Sequence, residues 1–252
     1  MDDIKEKQAR LLVMLKQFDS FARENGIRYY VASGSCLGAV REKGFIPWDA
    51  DIDILMPLDI YLKCECLLLK KNYNKIKWLS YKNDEEAPNL MGRIYEENAT
   101  IDHLEEYPYL DLFALSGVPE DENIQKKMMK DSLMNYRIYW IKKRKYKTSL
   151  SRKKSRIGIV LQMLLLLYPS SICKKKFEKE LTMYPYDCSD YVAPLTGLYG
   201  LRDVVKRKWF DDDPVYVEFC DMLVPVTRHT HEYLSHLYGD TYMTPIRYDR
   251  YK

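Results

Sequence analysis

Between Ser33 and Pro57 the chain reads SGSCLGAVREKGFIPWDADIDILMP, and the close of this stretch limits the possible folds more than any other feature. Asp49, Asp51 and Asp53 stand at alternate positions, with Ile52 and Ile54 interleaved around the last two. Successive side chains of a β-strand point to opposite faces, so Asp51 and Asp53 share one face and the isoleucines the other. Two carboxylates side by side repel, and burying them unpaired is costly. A hard cation removes that penalty, because Mg²⁺ takes oxygen ligands and leaves positions for water and substrate phosphates. The pattern points to metal-assisted phosphate chemistry, with Mn²⁺ as a possible substitute. The alternative is a solvated acidic loop, against which the isoleucine alternation argues.

The residues leading into the aspartates support a phosphate site. Ile4, Leu11, Leu15, Phe18 and Ala22 predict an amphipathic helix over 3–24, stopped by Asn25-Gly26. A strand is expected over 27–32, running into a Ser33-Gly34-Ser35 turn. Gly34 lets the backbone come close to a ligand, and Ser35 can aim its hydroxyl and amide at a phosphate. A short helix over 36–42 would present its N-terminus to the same place, a natural anion site. Arg41 is a candidate phosphate ligand through its fork of donors, or else an exposed surface arginine. Trp48 reads as a packing anchor.

Beyond Pro57 a helix is expected to about Lys71, then strands over 76–81, 90–95 and 99–103, the last two as a hairpin around residues 96–98. Arg93, in that hairpin, could reach a phosphate. The apolar run YPYLDLFAL places one acid, Asp111, in mid-strand. A buried carboxylate needs a partner: either the metal of Asp51 and Asp53 or a salt bridge to an Arg or Lys.

From Glu122 the chain reads as helical. Residues 142–156 hold nine Lys or Arg and no acid, and IGIVLQMLLLLY follows directly. A twelve-residue apolar helix is about 18 Å long, against about 30 Å of hydrocarbon, so it cannot span a bilayer. It suits either the surface of an anionic membrane or the core of a helical subdomain. No nucleic-acid-binding motif accompanies the basic run, so no nucleic-acid partner is expected. Short strands over 215–219 and 222–226 and a helix over 230–237 are predicted in the tail. The six cysteines show no zinc-ligand spacing and read as reduced core residues of a cytosolic protein. The charged N-terminus has no signal-peptide core.

The run Gly34-Ser35-Cys36-Leu37-Gly38-Ala39-Val40-Arg41-Glu42-Lys43-Gly44-Phe45-Ile46-Pro47-Trp48-Asp49-Ala50-Asp51-Ile52-Asp53-Ile54 resembles the hallmark of the LicD family. That family of phosphotransferases includes bacterial phosphocholine transferases and, more distantly, fukutin and the fukutin-related protein. LDLF around Asp111 and the tail elements KWF, PVYVEF and EYLSHLYGDTYM are similar too. Ala50 replaces a common aspartate, on the face opposite the pair.

The resemblance implies an α+β fold of nucleotidyltransferase type, a mixed β-sheet flanked by helices with a basic and apolar helical insertion. It suggests a catalytic core over 1–120, the insertion over 121–190, and a part over 191–252 completing the catalytic domain. It implies that Asp51, Asp53 and Asp111 hold Mg²⁺ and carry catalysis. Gly34, Ser35, Arg41, Asp49 and Arg93 are expected to bind substrate phosphate. The implied reaction moves a phospho-alcohol such as phosphocholine from CDP-choline or another CDP-linked donor to a sugar hydroxyl of a glycan or teichoic acid precursor, releasing CMP. The expected setting is cytoplasmic, with possible attachment at the inner face of the membrane. A nucleotidyltransferase releasing pyrophosphate, and a non-catalytic membrane-bound assembly partner, are the alternatives.

Overall fold

In the computed structural model, which describes residues 2–70, 76–143, 152–165 and 167–245, the organising element is one long strand. In chain order the elements are helix α1 (Asp2–Glu24), strand β1 (Tyr30–Val31), α2 (Ser33–Glu42), β2 (Ile52–Pro57) and α3 (Leu58–Lys70). Then come β3 (Ile76–Leu79), β4 (Arg93–Glu96), β5 (Tyr109–Val118), α4 (Glu122–Lys143), α5 (Arg152–Leu164) and α6 (Ser170–Leu181). The chain continues through β6 (Tyr191–Pro194), β7 (Val205–Lys206), β8 (Val215–Phe219), β9 (Met222–Val226) and α7 (Thr230–Tyr238).

β5 is the centre of a mixed sheet. β2 lies parallel to it along one edge. Its other edge is shared: β4 pairs antiparallel with residues 109–111, and β6 pairs antiparallel with residues 115–118. β1 extends the sheet beyond β2, β3 beyond β4, and β7 beyond β6. A parallel β2–β5 pair needs a long crossover, here supplied by α3, β3 and β4. The sheet and its flanking helices form the expected α+β fold of nucleotidyltransferase type.

The alternation along β2 and β5 decides which residues reach solvent. Ile52 and Ile54 on β2, and Leu110, Leu112 and Ala114 on β5, are buried in the main core with Phe18 and Leu15 of α1. Asp53 on β2 and Tyr109, Asp111 and Phe113 on β5 are only part-buried and face the other way. Exchanging a core leucine such as Leu112 for alanine would cost about 2–5 kcal/mol, so the apolar face fixes the register of the polar one.

Several expectations need correction. The strand over 99–103 is absent, and residues Ile101–Glu106 form a 3-10 helix in which only Leu104 is buried. That segment lacks strand alternation, so nothing there could line a sheet face. β4 instead pairs with β3 on one side and β5 on the other. α2 begins at Ser33, so Gly34 and Ser35 form its first turn rather than a turn before it. Three cysteines, Cys36, Cys64 and Cys173, are buried as expected, but Cys66, Cys188 and Cys220 are exposed; all six are free thiols. Residues 144–151 of the basic run lie outside the described residues.

Candidate active site

Strand register assembles the site. Asp53 of β2 stands opposite Asp111 of β5, and Asp111 stands opposite Arg93 of β4. Three strands thus set an acid, an acid and a guanidinium in one row. Asp51, two residues before Asp53, extends the acidic face along β2. All four line a cavity of about 250 Å³, closed by Ser33, by Tyr233 and Leu237 of α7, and by the segment from Pro194 to Val205.

Within the row the two acids differ in what they meet. Arg93 grips Asp111 with two donors: its Nε donates to Oδ1, and its Nη2 donates to Oδ2 at 3.1 Å. The Arg93 guanidinium also lies over the Tyr109 ring, 3.9 Å from its centroid. With the Asn89 amide oxygen turned toward it, Arg93 Nη1 donates a further bond at 3.0 Å. Asp111 therefore has the salt-bridge partner that a part-buried acid in an apolar strand calls for.

Among the described residues no Lys or Arg pairs with Asp51 or Asp53 in this way. Burial, with the neighbouring Asp49 and Asp111 carboxylates, pushes Asp51 up to about 7. Burial and then the Asp51 charge hold Asp53 well above the usual carboxylate range, against a hydrogen bond from Ser33 that favours its ionised form. Two enclosed acids that repel each other and are both pushed toward the neutral form are a donor set that fits a divalent cation. Among the described residues no three His, Cys, Asp or Glu side chains gather in a ligand cluster. A cation here would rest on two carboxylates with the remaining positions left to water and substrate, which is how Mg²⁺ is commonly held.

The remaining expected residues sit behind this face. Ser35 is buried, and its Oγ accepts from the Asp53 backbone N–H at 3.0 Å, tying α2 to β2. Gly34 allows Asp49 to approach: a Cβ on it would lie 2.8 Å from Asp49 Oδ2. Asp49 hydrogen-bonds Asp51, and Gln8 of α1 donates to the Asp49 carbonyl at 2.7 Å. Arg41 does not line the cavity; it pairs with Glu42 at 2.7 Å and donates to the Tyr242 carbonyl at 3.0 Å.

A family model described as "LicD/FKTN/FKRP, nucleotidyltransferase domain" matches residues 26–154, about half of the chain, including Asp51, Asp53, Arg93 and Asp111. The chain belongs to the LicD family. Over 98% of its length it is 26% identical to the lipopolysaccharide cholinephosphotransferase LicD of Haemophilus influenzae, of which it covers 94%. Shorter similarities run to an uncharacterized protein of Rickettsia typhi, 44% identical over 20% of this chain and 17% of that one. Mannosyltransferase regulator 4 of Saccharomyces cerevisiae is 36% identical over 23% of this chain and 5% of its own. Membership of the LicD family, with near full-length similarity to a LicD transferase, makes this protein a LicD-type phosphotransferase.

Sequence reasoning overlooked part of the LicD site. Ser33 bonds Asp53, and its backbone is left-handed at φ 46°, a conformation rare for a residue with a side chain. Its N–H donates to the Tyr233 hydroxyl at 3.2 Å. The SGS string is the available signal, and its first residue is the one that lines the cavity. Tyr233, Thr196, Tyr199 and Asp203 come from the C-terminal third, and no local motif marks them as facing the aspartates.

Proposed function

We propose that this protein transfers phosphocholine from a CDP-linked donor to a sugar hydroxyl of a cell-surface glycan precursor, with release of CMP. The single observation that carries the reading is the acidic cavity face formed by Asp51, Asp53 and the Arg93-clamped Asp111. The name of the H. influenzae relative supplies phosphocholine and lipopolysaccharide. Asp51 and Asp53 would hold Mg²⁺, or Mn²⁺, and such an ion, when bound, neutralises the donor diphosphate and the departing CMP. Asp49, bonded to Asp51, keeps that carboxylate oriented. Arg93 holds Asp111 in place through its two donors. Each carboxylate oxygen has a second lone pair, so Asp111 can accept the proton of the acceptor hydroxyl as its oxygen bonds to phosphorus and the bond from phosphorus to the CMP oxygen breaks.

The test is CMP release from CDP-choline, CDP-ribitol and CDP-glycerol, with and without Mg²⁺, in the presence of glycan acceptors. Mg²⁺-dependent CMP release with choline incorporation is expected. Pyrophosphate release from a nucleoside triphosphate, with no CMP from any CDP-linked donor, would replace this reading with nucleotidyl transfer.

We further place the reaction at an anionic membrane surface on the cytoplasmic side. No described helix is long and apolar enough to cross a membrane. Yet Ile157, Val160 and Leu164 form an outward stripe along α5, at 54%, 55% and 72% exposure, and Leu167 just past it is 94% exposed. Lys174 and Lys175 of α6 follow, and nine cations precede or open α5 in the sequence. A second copy of the chain would set like charge against like charge, whereas acidic lipid satisfies both the apolar stripe and the cations. Co-sedimentation of the full chain with phosphatidylglycerol vesicles, lost on Leu164→Glu or at high salt, is the expected outcome. Equal binding to neutral and acidic vesicles would remove the electrostatic part of the reading.

A further inference from the structure

The cavity has a second end. Along β5 the lining changes from Asp111 to Phe113 to Leu115, and Leu115 pairs with Pro194 of β6. The segment that follows Pro194 folds over this end and carries Thr196, Tyr199 and Asp203 into the lining. Asp203 is only 6% exposed. It accepts from the Tyr199 backbone N–H at 2.7 Å and from the Gly200 backbone N–H. No Lys or Arg among the described residues pairs with it, in contrast to Asp111. Gly197 makes room for it: a Cβ there would stand 2.3 Å from Asp203 Oδ2. Thr196 is 5% exposed, and its hydroxyl has no hydrogen-bond partner among the described residues. Tyr199 remains 41% exposed at the rim, its ring edge-on to Tyr238 with centroids 6.2 Å apart.

We propose that this end, walled by Phe113, Leu115, Pro194 and Tyr199 and closed by Asp203, seats the cationic head group of the transferred phospho-alcohol, a quaternary ammonium. The inference rests on phospho-alcohol transfer as the reaction and names the part of the substrate that this end selects. Charge is the first reason. Four carboxylates and one guanidinium line the cavity, so a phosphate-bearing ligand is accommodated only if cations accompany it. A metal ion would answer Asp51 and Asp53, and Arg93 answers Asp111. Asp203 is left for a cation belonging to the ligand.

Chemistry is the second reason. A trimethylammonium has no N–H to donate and presents methyl groups to its surroundings. An apolar wall with an aromatic rim and one carboxylate behind it suits such a group, whereas the hydroxyls of glycerol or ribitol would meet Phe113, Leu115 and Pro194 without partners. Reach is the third. The two-residue step from Asp111 to Phe113 is about 7 Å, which the chain of phosphocholine from phosphorus to its N-methyl groups largely covers. The cavity is also small, at about 250 Å³, against pockets of roughly 300–1,000 Å³ for drug-sized ligands. It suits a head group with its phosphate, with the nucleotide held outside.

Calorimetric titration of the full chain with phosphocholine and with glycerol 3-phosphate, in Mg²⁺, tests the assignment. The unaltered protein is expected to prefer phosphocholine. Asp203→Asn is expected to weaken phosphocholine about tenfold, the equivalent of about 1.4 kcal/mol, and glycerol 3-phosphate less than twofold. Tyr199→Leu, at an exposed position where folding is not at stake, should weaken phosphocholine about threefold with the same selectivity. Equal losses for both ligands, or undiminished phosphocholine binding in both variants, would overturn the head-group site. The parent reading fails separately, if the unaltered protein releases no CMP from any CDP-linked donor.

Discussion

The row on β2, β5 and β4 and the stripe on α5 both invert the usual placement of residues. The first encloses four charged side chains on the middle of a sheet; the second exposes Ile157, Val160 and Leu164 on a helix. The surroundings differ in kind. The row is held by register: Asp53, Asp111 and Arg93 cannot separate without unpairing strands whose other face is the main core. α5 is held lightly, by bonds such as that from Gln162 Nε2 to the Ile141 carbonyl at 2.7 Å. Enclosed charge needs a scaffold that holds repelling groups in place. An exposed apolar stripe needs only a second surface to cover it.

The largest expected effect separates chemistry from stability within the row. Asp51→Asn or Asp53→Asn should lower the rate of CMP release by roughly 10²-fold or more, while the melting temperature stays level or rises, because an uncharged amide relieves the repulsion that raises both acids. A variant with undiminished turnover would sink the role given to these two residues. Asp111→Ala should do the opposite to the fold. It leaves Arg93 enclosed without its partner, at a cost of about 3–5 kcal/mol, measurable by urea unfolding. A loss under 1 kcal/mol would mean that the guanidinium finds water or another acceptor.

Asp203 lies between these extremes. Burial raises its carboxyl from the ordinary aspartate range to about 6. The folded state therefore binds its proton more tightly than the unfolded chain does. Stability that is full below about pH 4 is lost as pH rises toward 6, with no further loss from this group above that. At about 1.4 kcal/mol per unit the whole effect is at most about 3 kcal/mol. Melting temperatures of Asp203→Asn and the unaltered protein should diverge between pH 4 and 6 and run parallel above; parallel curves throughout would show that the group is not strained. Smallest of all, Leu164→Glu on α5 should change stability by no more than about 0.5 kcal/mol, since its side chain touches little of the core. A large loss would mean that the stripe is part of the fold and not a face awaiting a partner.

The legible part of the site was the part written within one strand. Alternation alone placed Asp51 and Asp53 together and set Ile52 and Ile54 in the core, because a strand's period is a local property. The helix boundaries of α1 and α3 were legible for the same reason. The 99–103 segment leads into a 3-10 helix and is not a strand, because an apolar residue or two in a polar run carries no period. The sequence marks Arg93 as a candidate phosphate ligand and leaves Asp111 a metal or an unspecified Arg or Lys as partner; it does not bring the two together. Which cation meets Asp111 depended on which strand lies beside β5.

The sequence by itself therefore determined the family, the strand that carries the acidic pair, and the apolar face behind it, all from residues close together in the chain. Tertiary structure alone decided that Arg93 meets Asp111 across strands, that Ser33 and Tyr233, 200 positions apart, share a hydrogen bond beside Asp53, and that Asp203 closes the far end of the same cavity. Those relations are set by strand register and by the packing of α7 and the Pro194–Val205 segment against the sheet. Such long-range pairings are chosen by what the buried face of each element fits against, and no local pattern encodes them.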